Sequence, residues 1–233
     1  MSISDIISVR GVLERNDLLS ALTESQLAEL AQQTRLVRFL HGEPIWSCHM
    51  SEGFFGVVAH GFVKMVRPAQ GSVEATLEIM GPNESFGMLG TIKGDGCPLM
   101  AYALTDCIVA KVPKSPFMEQ YMMNHSIKDR LVRKTALRMH EKLAFLTTIS
   151  TGNVEEKLAA VLVNLIGEYG EAHGSLIHLD IQLTRQEIAA MAGTTTESTI
   201  RTLSKWSQAG IIETEHHRIT VLRPDLLETK LRP

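Results

Sequence analysis

The chain is poor in the features that mark out special classes of protein. Aromatic residues make up only 5% of its 233 positions, and its three cysteines are Cys48, Cys97 and Cys107. An odd number without CxxC spacing argues against a disulfide framework or a four-thiolate metal centre, so reduced thiols are expected. Long apolar runs are missing too. The longest nearly uncharged one, Leu158 to Ile166, falls far short of the roughly 20 residues that a membrane-spanning helix needs. Met1 to Leu19 carries Asp5, Arg10, Glu14, Arg15 and Asp17 among its apolar residues. It therefore lacks the uninterrupted apolar stretch of a secretory signal, which points to the cytoplasm and to no membrane partner. Net charge is only −3, and dividing the chain near residue 122 gives −4 before and +1 after. That asymmetry neither diagnoses a nucleic-acid partner nor excludes one, because a basic surface can be local. What is present, 44% apolar and 21% charged residues, describes a globular protein of one large or two ordinary domains.

After a short helical opening at Ser25 to Ala31, residues 36 to 112 break into runs rich in Val, Ile and Phe, separated by glycine and proline. Phe54 to Val58, Phe62 to Val66, Ala75 to Ile79 and Ile108 to Val112 read as strands. Turn signals stand at Gly42, His60-Gly61, Ala69 to Gly71, Gly81 to Asn83 and Gly94 to Gly96. A compact barrel or jelly roll fits this grammar. From about Ser115 the punctuation stops, and His125 to Ser150 holds neither glycine nor proline, long enough for a helix of about 40 Å. Along it Val132, Ala136, Met139, Leu143 and Leu146 recur at alternating spacings of four and three, the seam of a two-stranded coiled coil, and predict a homodimer. The bland alternative is that this stripe packs on its own barrel. Arg130, Lys134, Arg138 and Lys142 weigh against it by keeping the other faces solvated. Thr151-Gly152-Asn153 is the expected hinge. An α+β protein in three parts results: a β-roll domain over 1–122, a dimerisation helix and hinge over 123–151, and a third domain over 152–233.

The third region opens with an amphipathic helix, Val154 to Tyr169, and a short strand, Leu176 to Leu179. Two short helices joined at Gly193 follow. Thr184 with Glu187 makes a capping box for the first, and Ile188 and Met191 supply its buried face. Thr194 or Thr195 caps the second, Leu203 and Trp206 face inward, and Gly210 gives a left-handed stop. Two helices around a glycine turn are the DNA-reading unit of helix-turn-helix proteins. On the second helix Glu197, Arg201 and Lys205 lie four apart and share the face opposite Leu203. A guanidinium can donate to O6 and N7 of guanine and a carboxylate can accept from N4 of cytosine, so a G·C pair is the predicted target. Thr195, Thr196 and Ser198 stand near the helix start, where phosphate or base contacts are made, and Ile200 is placed for a thymine methyl. Arg185 and Arg218, at the edges of the unit, are candidate phosphate contacts. An ordinary surface pair of Glu197 and Arg201, or a capping box from Glu197 to Thr194, remains the competing reading. Ile211 to Val221 reads as a two-stranded wing with its turn near Glu215 to His217.

In this order of parts the chain resembles the Crp/Fnr family of bacterial transcription regulators, which have a β-roll sensor, a long dimerisation helix and a winged helix-turn-helix. Particular strings agree: Gly81-Pro-Asn-Glu-Ser-Phe-Gly87 with the family's roll turn, Ala103-Leu-Thr-Asp-Cys107 with the following strand, and Leu183-Thr-Arg-Gln-Glu-Ile-Ala with Gly193, Glu197 and Arg201 with its DNA-binding signature. The resemblance implies that Glu197 and Arg201 read the G·C pair of a TGA-like half-site, that a homodimer reads an inverted repeat, and that RNA polymerase and a small-molecule effector are partners. Cyclic-AMP-responsive members carry a further base-reading arginine where this chain has Thr196.

The sensor departs from the family pattern. Members that bind cyclic AMP hold its ribose with a Gly-Glu pair, its phosphate with Arg-Ser or Arg-Thr, and its base with hydroxyls on the long helix. Here Gly87-Met88-Leu89, Leu99-Met100 and Val132, Ala136 and Leu137 stand at those places. A phosphate facing Leu99 would lack its counter-charge, so cyclic AMP is not expected. An iron-sulfur cluster is not expected either, because the first cysteine is Cys48. A hydrophobic ligand, a haem or a filled core stay open. For haem, Cys97 and His41, His49, His60, His125 and His140 are the candidate ligands and no spacing selects among them. A thiol switch at Cys48, Cys97 or Cys107 is open as well. No metal site or catalytic residue is expected. A jelly-roll oxygenase would want an H-x-H pair that the roll lacks.

Overall fold

The computed structural model describes residues 7–47, 53–67, 75–93 and 97–231; Cys48, His49 and the turns expected at 69–71 and 94–96 lie outside them. The chain divides into two compact units, the first running to Leu137 and the second from Arg138 onward, so that one long helix belongs to both.

In the first unit, helices α1 (Val9–Arg15) and α2 (Glu24–Gln33) flank a single 3-10 turn, Leu19–Ala21. Strands β1 (Arg35–Phe39), β2 (Pro44–Trp46), β3 (Phe54–His60), β4 (Val63–Arg67), β5 (Ala75–Met80) and β6 (Ser85–Phe86) follow. Helix α3 (Met88–Lys93), strands β7 (Met100–Ala103) and β8 (Cys107–Pro113), and helix α4 (Lys114–Met123) lead to α5 (His125–Thr151). The strands form two four-stranded sheets, β1-β8-β3-β6 and β2-β7-β4-β5. The four strands expected from the residue pattern are present with boundaries within a residue or two, and β1, β2 and β6 were not foreseen; the strand expected at Ala103 to Cys107 is instead the end of β7, a bend at 104–106 and the start of β8.

The first sheet is buried on both faces, which explains why Ile108 to Val112 shows so little polar alternation. Along β8, Cys107 and Val109 point into the roll with Trp46, Phe86 and Met65. Ala110 and Val112 point the other way, toward Leu13, Leu19, Phe117 and Ile127 of the helices. Helix α5 thus anchors its first turns, Ile127 and Leu131, in the helical core. Beyond them Val132, Leu137, Met139, Leu143 and Leu146 are 53–68% exposed, and Ala136 is exposed too. Val132 and Ala136, the part of the stripe within this unit, are therefore not packed on the roll.

In the second unit, α6 (Val154–Tyr169) leads through β9 (Gly170–His173) and β10 (Leu176–Leu179) to α7 (Arg185–Ala192) and α8 (Thr196–Gln208), then β11 (Ile212–Glu215), β12 (Arg218–Val221) and α9 (Pro224–Thr229). Its sheet has the order β11-β12-β10-β9. Asn153 caps α6 with Glu156 in a reciprocal box, the Glu156 amide donating to Asn153 Oδ1 at 3.1 Å and the Asn153 amide to Glu156 Oε2 at 3.0 Å. Each such cap contributes about 1 kcal/mol. One face of α6, with Leu158, Leu162 and Leu165, is buried, as are Ile188, Leu203, Trp206, Ile219 and Leu227 from the elements that follow.

Candidate nucleic-acid interface

The helix pair α7 and α8 is set by local chemistry. Thr184 and Glu187 form the expected box: the Glu187 amide donates to Thr184 Oγ1 at 3.2 Å and the Thr184 amide to Glu187 Oε2 at 2.9 Å. Gly193 ends α7 at φ 58°, in the left-handed region that side chains resist. Of the two threonines considered as the cap of α8, Thr195 does the work, its Oγ1 accepting the Ser198 amide at 3.1 Å and donating to Ser198 Oγ at 3.0 Å. Thr199, Thr202, Leu203 and Trp206 bury one side of α8. Thr195, Thr196, Glu197, Ile200, Arg201 and Lys205 are exposed, and Ser198 is half-buried.

Neither competing reading of Glu197 is realised. It is exposed and forms no box with Thr194, since Thr195 holds the cap, and no ion pair joins it to Arg201 among the described residues. Lys205 differs from the expectation of a free groove-facing cation: its Nζ is hydrogen-bonded to Glu155 Oε1 at the start of α6. Arg218, on the wing, lies with Nε 3.3 Å from Asp180 Oδ1 and directly across the ladder from Glu215. Both partners lie outside the helix pair and left no local signal in the sequence. The wing turn falls at His216 and His217, both with positive φ, as a tight two-residue hairpin requires.

Arg185 is half-buried at the first position of α7. Its Nη1 is shielded from solvent without a hydrogen-bond partner among the described residues, and burial draws its pKa below the usual arginine range.

The residues expected to line an effector site are not gathered into one lining. Met88 packs into the helical core rather than the roll, Leu89 is exposed, and Val132, Ala136 and Leu137 are exposed on α5. Gly87, Leu99 and Met100 are half-buried, and the first two meet a residue that sequence reasoning missed, Trp46. Its indole donates to the Leu99 carbonyl at 3.0 Å and stacks on Phe86 with ring centroids 4.8 Å apart. It also lies so close over Gly87, at φ +79°, that a Cβ there would stand 2.5 Å from the ring. Met100 takes a weak hydrogen bond from the Tyr102 hydroxyl through its sulfur, 3.6 Å away.

Of the candidate haem ligands, His41, His60, His125 and His140 are exposed. Among the described residues no three His, Cys, Asp or Glu side chains converge to hold a metal ion. Cys107 is buried, and desolvation, with Asp106 and Glu43 nearby, pushes its thiol up to about 12. That removes the thiolate a redox switch needs. No helix among the described residues is long and apolar enough to cross a membrane.

Comparison with known proteins bears on both units. The family model of the cyclic nucleotide-binding domain matches residues 36–124, and that of the Crp-like helix-turn-helix domain matches residues 156–230. The chain is 23% identical over 221 residues to the CRP-like cAMP-activated global transcriptional regulator of Mycobacterium tuberculosis, covering 95% of this chain and 99% of that one. It is 25% identical over 172 residues to the cyclic AMP receptor protein of Thermus thermophilus, covering 74% and 76%. The solved structure of FixK2 from Bradyrhizobium japonicum shares the fold, with a TM-score of 0.73 at 18% identity over 84% of this chain and 96% of that chain. With a cyclic-nucleotide-binding-type roll, a long helix and a Crp-like helix-turn-helix in that order, the chain belongs to the Crp/Fnr family of DNA-binding transcription regulators.

Proposed function

We propose that this regulator binds, as a homodimer, an inverted repeat of TGA-like half-sites, with Glu197 and Arg201 reading the G·C pair of each half, and that its roll does not take cyclic AMP. The observation that carries the reading is that Glu197 and Arg201 are exposed, without an ion-pair partner among the described residues, on the face of α8 opposite Leu203 and Trp206. Both are free to reach base edges. Thr195, Thr196 and Ser198 at the start of α8 suit backbone and flanking contacts, and Ile200 suits a thymine methyl. Arg185, half-buried at the first position of α7, suits a phosphate contact through the part of its guanidinium that solvent reaches. The exposed stripe from Val132 to Leu146 supports dimerisation, since a helix that leaves four large apolar residues and Ala136 open at coiled-coil spacing gains by covering them with a second copy. Against cyclic AMP stand the apolar residues at the ribose and phosphate positions and the indole of Trp46 packed over Gly87. Bound at a promoter, such a dimer would act on RNA polymerase.

A gel-shift assay tests this with a duplex carrying an inverted TGA/TCA repeat. The wild-type chain is expected to shift it as two copies per duplex. Arg201→Ala should lose the shift while keeping its circular-dichroism spectrum. Unchanged binding by Arg201→Ala would remove the assignment.

A further inference from the structure

Two cations of the second unit, Lys205 on α8 and Arg218 on the wing, are paired with carboxylates from elsewhere in the same unit. Lys205, one turn beyond Arg201 on α8, is bonded to Glu155 near the start of α6. Arg218, next to the turn at the tip of the wing, is ion-paired with Asp180 just after β10, Nε to Oδ1 3.3 Å, and faces Glu215 across the ladder. Arg201 has no such partner among the described residues. We propose that Glu155 and Asp180 are positioning residues for DNA binding: they occupy Lys205 and Arg218 and hold down sequence-independent attraction to phosphate, while Arg201 stays unmasked on α8.

This inference rests on the DNA-reading role of α8. Its physical basis is that sequence-independent affinity comes from cations that displace counterions from the DNA backbone, each phosphate contact adding to the salt dependence of binding. Base contacts add discrimination but little of that dependence. A cation shared with a carboxylate delivers less of its charge to a phosphate, and the carboxylate itself repels the backbone. Because both pairs are exposed, with Lys205 67% and Arg218 58% accessible in their side chains, the masking dampens phosphate binding rather than abolishing it, and it weakens as salt screens the pair.

The test measures fluorescence anisotropy of the purified full chain on two duplexes of equal length, one with the inverted TGA/TCA repeat and one scrambled, across 50 to 200 mM potassium chloride. Glu155→Gln and Asp180→Asn, read independently, should each bind the scrambled duplex roughly threefold tighter at the lowest salt and steepen the plot of log affinity against log salt by about 0.9. The repeat duplex should gain by a similar factor, because a phosphate contact does not depend on sequence. Adding Lys205→Gln to Glu155→Gln should abolish the gain, because the cation set free is then gone. The proposal is overturned if both single variants keep the wild-type unfolding temperature and leave the scrambled-duplex slope unchanged, or if both weaken scrambled binding. Wild-type protein that cannot tell the two duplexes apart would instead overturn the base-reading assignment, since the scrambled-duplex slope is measured without it.

Discussion

The recognition helix and the roll interior are built by opposite means. On α8 Glu197 and Arg201 stand exposed without an ion-pair partner among the described residues, and the hydrogen bonds lie around them, on the caps at Thr184 and Thr195 and the turn at Gly193. In the roll the corresponding places hold hydrocarbon, and Trp46 ties them together through Phe86, Gly87 and Leu99. On the function proposed above, a fold shared with cyclic-nucleotide-binding domains need not carry the ligand with it. The fold supplies a space, and the side chains decide what fills it.

That contrast can be broken at several points. The largest effect is expected in the roll, where Trp46→Ala removes a 5% exposed indole from the core and should destabilise the protein by about 3–5 kcal/mol in urea unfolding. A loss below about 1 kcal/mol would mean the ring is not packed as described. Next comes Glu197→Ala, which should cost about 1–3 kcal/mol of operator binding and relax the preference at one base pair while leaving scrambled DNA nearly unaffected. Thr184→Ala should cost about 1 kcal/mol of stability by uncapping α7, seen as a lower unfolding midpoint.

The smallest effect is a pH dependence that has no consequence at neutrality. The Cys107 thiol is raised in the folded state from its ordinary value of 9.0 to about 12. The stability it confers is therefore fully present below about pH 9 and is lost as pH rises through about 12. Wild-type stability should decline over that window more than that of Cys107→Ala, and a thiol reagent such as Ellman's should leave Cys107 untouched until the chain unfolds.

The same contrast explains what the sequence made legible. Helices α6, α7 and α8 start and stop where short-range chemistry says they should, because Asn153 with Glu156, Thr184 with Glu187, and Thr195 with Ser198 lie within one turn of each other. The exposed face of α8 follows from helical periodicity alone, and so does the stripe on α5. Among the strands that escaped notice, β1 carries Arg35 and Arg38 among its apolar residues, β2 opens on Pro44, and β6 has only two residues, so none of these shows a clear period of two. Trp46 over Gly87 joins positions 41 residues apart, Lys205 meets Glu155 across 50, and Arg218 meets Asp180 across 38. No spacing rule reaches that far. The cores of the roll and the pairing of Lys205 and Arg218 are products of tertiary packing.

The most direct measurement is a titration of the wild-type chain against duplexes bearing one or two TGA half-sites, each with and without cyclic AMP. Tight binding is expected only with both half-sites in inverted orientation, at a protein concentration that the nucleotide does not change. Binding that appears only once cyclic AMP is added, or that is equally tight with a single half-site, would contradict the account.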